Sequence, residues 1–271
     1  MSKKFTFSVF TKPWKTISTE QLADLVKSIG FGGVEFPVRD GYQLEPVDAE
    51  KGMAKLSGIF KQRGIEILSV ASETTERIFA GCADAGVPMI RTMASHDLSG
   101  NYLKSEAEMK RTIDGYLPLC EKYNVKVGIQ QHFGPGLNNS MELRHLLEGY
   151  DPKYVGAIWD AAHSALAGEE PEQALDIVWE KLVLVNYKNA LYKRQNGPEA
   201  DRAEYSRYFT TGSQGLASWE RSIKHLKKLG YEGTICLTAE YTDEEKVNEY
   251  TARDLVYIKN LFDEIFGPGS Y

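Results

Sequence analysis

Short apolar runs along this chain alternate with longer stretches that place an apolar residue at every third or fourth position. The first run, Phe5–Phe10, reads as a strand. Ser18 then opens a helix, with Gln21 in the capping-box position. Leu22, Leu25, Val26 and Ile29 form its apolar stripe and Gly30 stops it. The same unit recurs. Further strands are expected at Val34–Val38, Ile65–Ala71, Pro88–Met93, Val125–Gln131, Tyr154–Asp160, Leu182–Lys188 and Thr234–Glu240. Helices are expected at Ala49–Arg63, Thr75–Ala85, Glu106–Tyr123, Ser140–Glu148 and Pro171–Trp179. Two more carry the stripes Trp219, Ile223, Leu226, Leu229 and Leu255, Ile258, Phe262, Ile265. Between them Asn189 to about Gln214 reads as a long polar loop rich in Tyr, Arg and Lys. Strict strand–helix alternation predicts a parallel sheet covered by helices. Eight such units in 271 residues point to an α/β fold, a single closed (β/α)8 barrel over residues 1–271. An open dinucleotide-binding sheet is disfavoured, because KPW (Lys12–Trp14) stands where a GxGxxG turn would follow the first strand.

Composition narrows the classes. Hydrophobic residues make up 42%, enough for a large core, yet no run of about 18 apolar residues is present to span a membrane. The amino end, MSKKFTFSVFTKPW, lacks the apolar length and cleavage site of a signal peptide. The net charge of −6 argues against general nucleic-acid binding but leaves room for a local basic pocket. Cys82, Cys120 and Cys236 are scattered and form no CxxC pair, which predicts buried thiols and a cytoplasmic location.

In a parallel barrel the carboxyl ends of the strands carry the chemistry. The sixth predicted strand ends at Asp160 with His163 just beyond, and the eighth at Glu240. The fifth ends Gln130-Gln131-His132 and the seventh Asn186-Tyr187-Lys188. Side chains alternate between strand faces, so Asp160 shares a face with Ile158 and Gly156, and Glu240 with Thr238 and Cys236. If those faces point inward, Gln130, Asp160, Asn186 and Glu240 converge as oxygen donors suited to Mg²⁺ or Mn²⁺. The ordinary alternatives are hydrogen bonding across the mouth for Gln130 and Asn186, an ion pair of Glu240 with Lys188, and a structural role for Glu35. Trp14, after the first strand, is either a stacking platform for a sugar or packing. The polar loop, with Arg207 and Tyr208 among its residues, is either an ordinary solvated loop or a lid over the mouth.

The segments FGGVEF (Phe31–Phe36), VGIQQH (Val127–His132), IWDAAH (Ile158–His163), LVNYKN (Leu184–Asn189), GSQG (Gly212–Gly215) and LGYEGTICLTAEY (Leu229–Tyr241) carry a resemblance. In order and spacing the chain resembles the xylose-isomerase-like TIM barrels, in the sugar phosphate isomerase/epimerase group related to ketose 3-epimerases and endonuclease IV. The resemblance implies a divalent metal held by glutamate, aspartate, histidine and glutamate, which fall on Gln130, Asp160, Asn186 and Glu240. Only Asp160 and Glu240 match. It also implies substrate-side roles for His132 and His163 and a lysine at Lys188, followed here by Asn189 where an acid is usual. Gln130 cannot act as a base, so two-base epimerisation is disfavoured. The implied activity is a carbohydrate isomerase or epimerase acting on a sugar or sugar phosphate through a metal-assisted enediolate. In it Glu240 is the base, His163 and Lys188 stabilise charge, and His132, Glu35 and Trp14 contact substrate. The reduced donor set implies a metal held weakly or not at all. The alternative is a sugar-binding or regulatory relative that has lost the metal site. A nuclease like endonuclease IV would need a richer histidine and carboxylate cluster than five histidines supply. A homo-oligomer is compatible with the sequence.

Overall fold

The computed structural model describes residues 4–271; the first three residues of the expected span lie outside them. In chain order the elements are β1 (Phe5–Phe10), α1 (Thr19–Ile29), β2 (Gly33–Pro37), α2 (Ala49–Lys61), β3 (Glu66–Ala71) and α3 (Glu76–Ala85). Then come β4 (Met89–Thr92), α4 (Tyr102–Tyr123), β5 (Lys126–Gln130), α5 (Ser140–Leu147), β6 (Val155–Asp160), α6 (Ala161–Leu166) and α7 (Pro171–Val178). The remainder is β7 (Leu182–Tyr187), β8 (Asn189–Arg194), β9 (Tyr205–Thr210), α8 (Trp219–Leu229), β10 (Gly233–Leu237) and α9 (Val247–Phe266). Strands β1 to β7 and β10 close a barrel in the order β1-β10-β7-β6-β5-β4-β3-β2, every pair parallel. This is the (β/α)8 barrel that the sequence pattern predicts.

Local chemistry explains the elements. Ser18 and Gln21 form the expected reciprocal capping box on α1, and Gly30 closes it in the left-handed conformation, as Gly230 does for α8. Asn101 caps α4 one turn earlier than the apolar stripe suggested, because the added turn carries an exposed Leu103. The outward faces of the strands (Phe7, Val9, Val34, Phe36, Val127, Ile129, Trp159, Val185, Ile235) pack against the helices in the main core. The inward faces build a second, smaller core of Phe10, Ala71, Met89, Ile158, Leu184 and Cys236. Gly128 and Gly156 make room in that interior. A Cβ on Gly156 would sit 2.3 Å from Val183 Cγ1, and one on Gly128 2.4 Å from Ile158 Cδ1. All three cysteines are buried and free.

The stretch after β7 differs from the expected loop. β8 and β9 pair as an antiparallel ribbon from Asn189↔Thr210 to Arg194↔Tyr205. Both faces of its outer end are exposed, so no alternation of apolar and polar residues marked it. The short helix α6 was also unforeseen; it is a single capped turn and a half, below the length at which periodicity speaks.

Candidate active site

A hydrogen-bonded chain of polar side chains crosses the inside of the barrel at the carboxyl ends of its strands. Ser69 Oγ donates to Glu35 Oε2 at 3.0 Å, and Arg91 Nε donates to Glu35 Oε1 at 2.7 Å. Arg91 Nη1 donates to Gln130 Oε1, and Gln130 Nε2 donates to Asp160 Oδ2 at 2.8 Å. Arg91 thereby fixes which way the Gln130 amide faces. Asp160 ends β6 and caps α6, its Oδ1 accepting the N–H groups of Ala162 (3.1 Å) and His163 (3.2 Å). Every member of this chain is buried.

Above it stands Lys188, at the end of β7. Its Nζ lies 2.8 Å from Glu240 Oε2 and 3.7 Å from Asp160 Oδ2. Lys12 closes the other side, its Nζ 2.6 Å from Glu240 Oε1. Burial works against the Lys188 charge, but Asp160 and Glu240 outweigh it and raise its pKa above the ordinary value. Burial likewise pushes Glu240 up, and Lys188 and Lys12 overcome this to hold the carboxyl far below its usual range. Asp160 is raised by burial, with Lys188 and the His163 N–H opposing. The turn that presents Glu240 is strained: Ala239 sits at φ 50°, left-handed for a residue with a Cβ. Tyr241 anchors it by donating to Asp254 Oδ2 (2.9 Å), whose Oδ1 accepts the Gly212 N–H (2.8 Å).

Two histidines form the far wall. The rings of His132 and His163 are 4.3 Å apart between centroids. His132 Nδ1 donates to the Phe133 carbonyl at 3.0 Å, which leaves Nε2 as the unprotonated nitrogen of the neutral ring. Burial, then Lys188, lowers the His132 pKa, and the same causes lower His163 further. Neither ring nitrogen of His163 has a hydrogen-bond partner within the protein, nor has either amide atom of Asn186 or the hydroxyl of Thr238. The ribbon roofs this wall: Phe209 lies over Lys188 (5.2 Å) and Arg207 stacks on Phe133 (3.7 Å). A cavity of about 780 Å³ opens here, lined by Lys12, Lys15, Tyr42, His132, Lys188 and Glu240 among others, with an inner chamber of about 60 Å³.

The four expected donors do converge inside the barrel, with Asp160 and Asn186 directly paired in register. Glu240, Lys188 and His132 line the cavity and His163 lies behind His132. Two expected substrate contacts do not. Trp14 is buried in the outer core, with its Nε1 donating to Asn248 Oδ1 at 2.7 Å. Glu35 is fully buried beneath the cavity and paired to Arg91 and Ser69. Asn189 explains its own departure from an acid. Its Nδ2 donates to the carbonyls of Gly212 (2.7 Å) and Ala217 (2.8 Å), contacts a carboxylate would repel. Sequence reasoning missed Lys12, Arg39, Arg91, Phe133 and Phe209. Arg91 alone left a signal, a charge within a buried strand that had to find a partner.

A family model described as xylose isomerase-like TIM barrel matches residues 23–261. The chain belongs to the xylose isomerase-like TIM barrel family. Among curated relatives, an inosose dehydratase of Bacillus licheniformis is 25% identical over 171 residues, 58% of this chain and 57% of that protein. The chain thus matches little more than half the length of that relative. Two solved structures share the fold nearly end to end. A 3-keto-D-glucoside 4-epimerase from E. coli gives a TM-score of 0.73 at 12% identity, over 95% of this chain and all of that one. A xylose isomerase-like TIM barrel protein from Mycobacterium smegmatis in complex with magnesium gives 0.74 at 11% identity, over 98% and 99%.

This member of the xylose isomerase-like family does not present a donor set that fits a divalent cation. Both Glu240 oxygens face ammonium groups, and both Asp160 oxygens accept N–H donors, with Lys188 beside one of them. Gln130 has turned its oxygen to Arg91 and its nitrogen toward Asp160. Among the described residues no three His, Cys, Asp or Glu side chains group as metal ligands. A divalent ion would have to share the space between the two carboxylates with the Lys188 ammonium, like charge against like. The expected ligands Asp160, Glu240, Gln130 and Asn186 are therefore together in space but spent on other partners, Asn186 excepted.

Proposed function

We propose that this protein is a carbohydrate-processing enzyme that moves a proton on the carbon next to a carbonyl, with the Lys188 ammonium taking the place of a metal ion. The observation that carries this reading is the buried Lys188 charge, fixed between Asp160 and Glu240 at the cavity floor. A carbonyl oxygen that gains negative charge as its neighbouring carbon loses a proton would be met there by a preorganised cation in a partly dry site. Lys12 supplies a second positive charge at the rim. Glu240, the base expected from sequence, suits that task poorly, because two ammonium groups hold it as a weakly basic carboxylate. His132 suits it better: it is neutral, held in one tautomer by the Phe133 carbonyl, and lines the cavity. It would take the C–H proton; the electron pair would form the enediolate, and the carbonyl oxygen would become the oxyanion facing Lys188. Return of the proton to the former carbonyl carbon, with the adjacent hydroxyl proton passing to the former carbonyl oxygen, gives isomerisation; departure of a β-hydroxyl as water, carrying the proton that His132 took, while the carbonyl re-forms, gives dehydration. The names of the relatives, an inosose dehydratase and a 3-keto-D-glucoside 4-epimerase, support a carbonyl-bearing sugar as the substrate class.

Incorporation of solvent deuterium into a panel of ketoses and keto-sugars tests the reading. Exchange is expected with at least one compound, reduced by about 100-fold or more in His132→Gln and far less in Glu240→Gln. The rate should rise with pH through a group titrating below the ordinary histidine value, since His132 must be neutral to accept a proton. An ascending limb confined to the carboxylate range would return the role to Glu240. Binding of these compounds with no exchange at any pH would leave the sugar-binding alternative, which the masked Glu240 carboxylate favours.

A further inference from the structure

The inner chamber holds more positive charge than the buried network needs. Its lining includes Lys12, Arg39, Arg91 and Lys188, with Glu240 as its acid. Counting the carboxylates buried behind it, Glu35 and Asp160, four cations face three anions, in a chain whose overall charge is −6. Three of the cations are matched: Arg91 to Glu35, and Lys188 and Lys12 to Glu240. Arg39 is the remainder. Arg39 is half-buried, and its guanidinium has an aromatic ring but no carboxylate for a partner among the described residues. It lies 5.7 Å from the centroid of the Phe10 ring, against which Arg91 also packs at 4.4 Å. Burial, then the neighbouring Arg91, press its pKa downward, with Tyr42, Glu35 and Glu240 opposing. An arginine left in this state has its donors free to receive an anion.

We propose that Arg39 binds a carboxylate of the substrate in this inner chamber, so that the compound turned over is a sugar acid or similar hydroxy-keto acid rather than a neutral sugar. The inference rests on the proposed function for the reacting end of the molecule and adds the group that orients it. The planar guanidinium fork matches a carboxylate in two parallel hydrogen bonds. Charge favours a carboxylate over a phosphate. The surplus is a single positive charge, which a monoanion neutralises and a phosphate monoester, carrying about −1.5 to −2, overshoots.

Calorimetric titration of the full chain with D-fructose, 2-keto-D-gluconate, 5-keto-D-gluconate and D-fructose 6-phosphate tests the assignment. At least one keto acid should bind about tenfold or more tightly than D-fructose, with the advantage shrinking as salt is raised. Arg39→Gln should erase that advantage, and Arg39→Lys should keep only part of it. Equal binding of acid and neutral ketose, no binding of either keto acid, a clear preference for the phosphate ester, or an undiminished advantage in Arg39→Gln overturns the proposal. Deuterium exchange is not needed for any of these results. A keto acid that binds through Arg39 without exchange would sink the proposed reaction and leave the subsite standing.

Discussion

Lys188 is buried, charged, hydrogen-bonded to Glu240 and ion-paired with Asp160. Removing one partner of such a group exposes the others to their full desolvation cost, about 3–5 kcal/mol. Lys188→Met is therefore expected to lower stability by about that amount and to abolish deuterium exchange. The double variant Asp160→Asn with Lys188→Met removes the stranded charge and should recover much of the stability without recovering exchange. Denaturant unfolding of the three proteins checks the first part, and recovered activity in the double variant would show that Lys188 is a structural counter-ion alone. At this scale the sequence disclosed Asp160, Lys188, Glu240 and His132, because strand ends of a parallel barrel are where polar residues have to be explained. It could not disclose Arg39 or Lys12, which lie on connections after β2 and β1 and reach the site only through the closure of the barrel.

Among the elements, the ribbon of β8 and β9 divides into two parts. Its outer end is exposed on both faces, whereas Arg207 and Phe209 reach the roof of the cavity over Phe133 and Lys188. Replacing residues 195–204 with a two-residue Asn-Gly turn should leave the melting point within a few degrees and ligand affinity within about twofold, since little apolar surface is involved. Combined Arg207→Ala and Phe209→Ala should weaken ligand binding about tenfold by opening the roof. Titration of both variants with the same ligand decides the matter; equal losses would mean that the whole ribbon acts as one lid. The barrel strands and their helices were legible because each has an apolar face with its own period. The ribbon was not, because an element solvated on both sides carries no such pattern.

For the molecule as a whole, the balance of charge at the mouth predicts how it responds to metals. A site whose carboxylates are already matched by ammonium and N–H donors gains little from Mg²⁺ or Mn²⁺. A resident ion at 100 times its Kd would add about 2.7 kcal/mol, or roughly 5–10 °C in a chain of this size. Exhaustive chelation should therefore leave both exchange and melting point unchanged, and added Mg²⁺ or Mn²⁺ should shift neither; a rise of several degrees would reinstate the metal site. No helix among the described residues is long and apolar enough to cross a membrane.

By itself the sequence determined the barrel, its strand order of occurrence and the residues at or just beyond the strand ends, because backbone periodicity and capping are local properties written into neighbouring positions, though the last barrel strand stops at Leu237, three residues short of Glu240. Only the tertiary structure decided what those strand-end residues do. Whether Asp160 and Glu240 clasp a metal or an ammonium depends on where Lys188, Lys12 and Arg91 come to rest. Those contacts join positions 30 to more than 200 residues apart, such as Gln130 with Asp160 and Lys12 with Glu240, and electrostatic pairing across such gaps exists only once the barrel has closed.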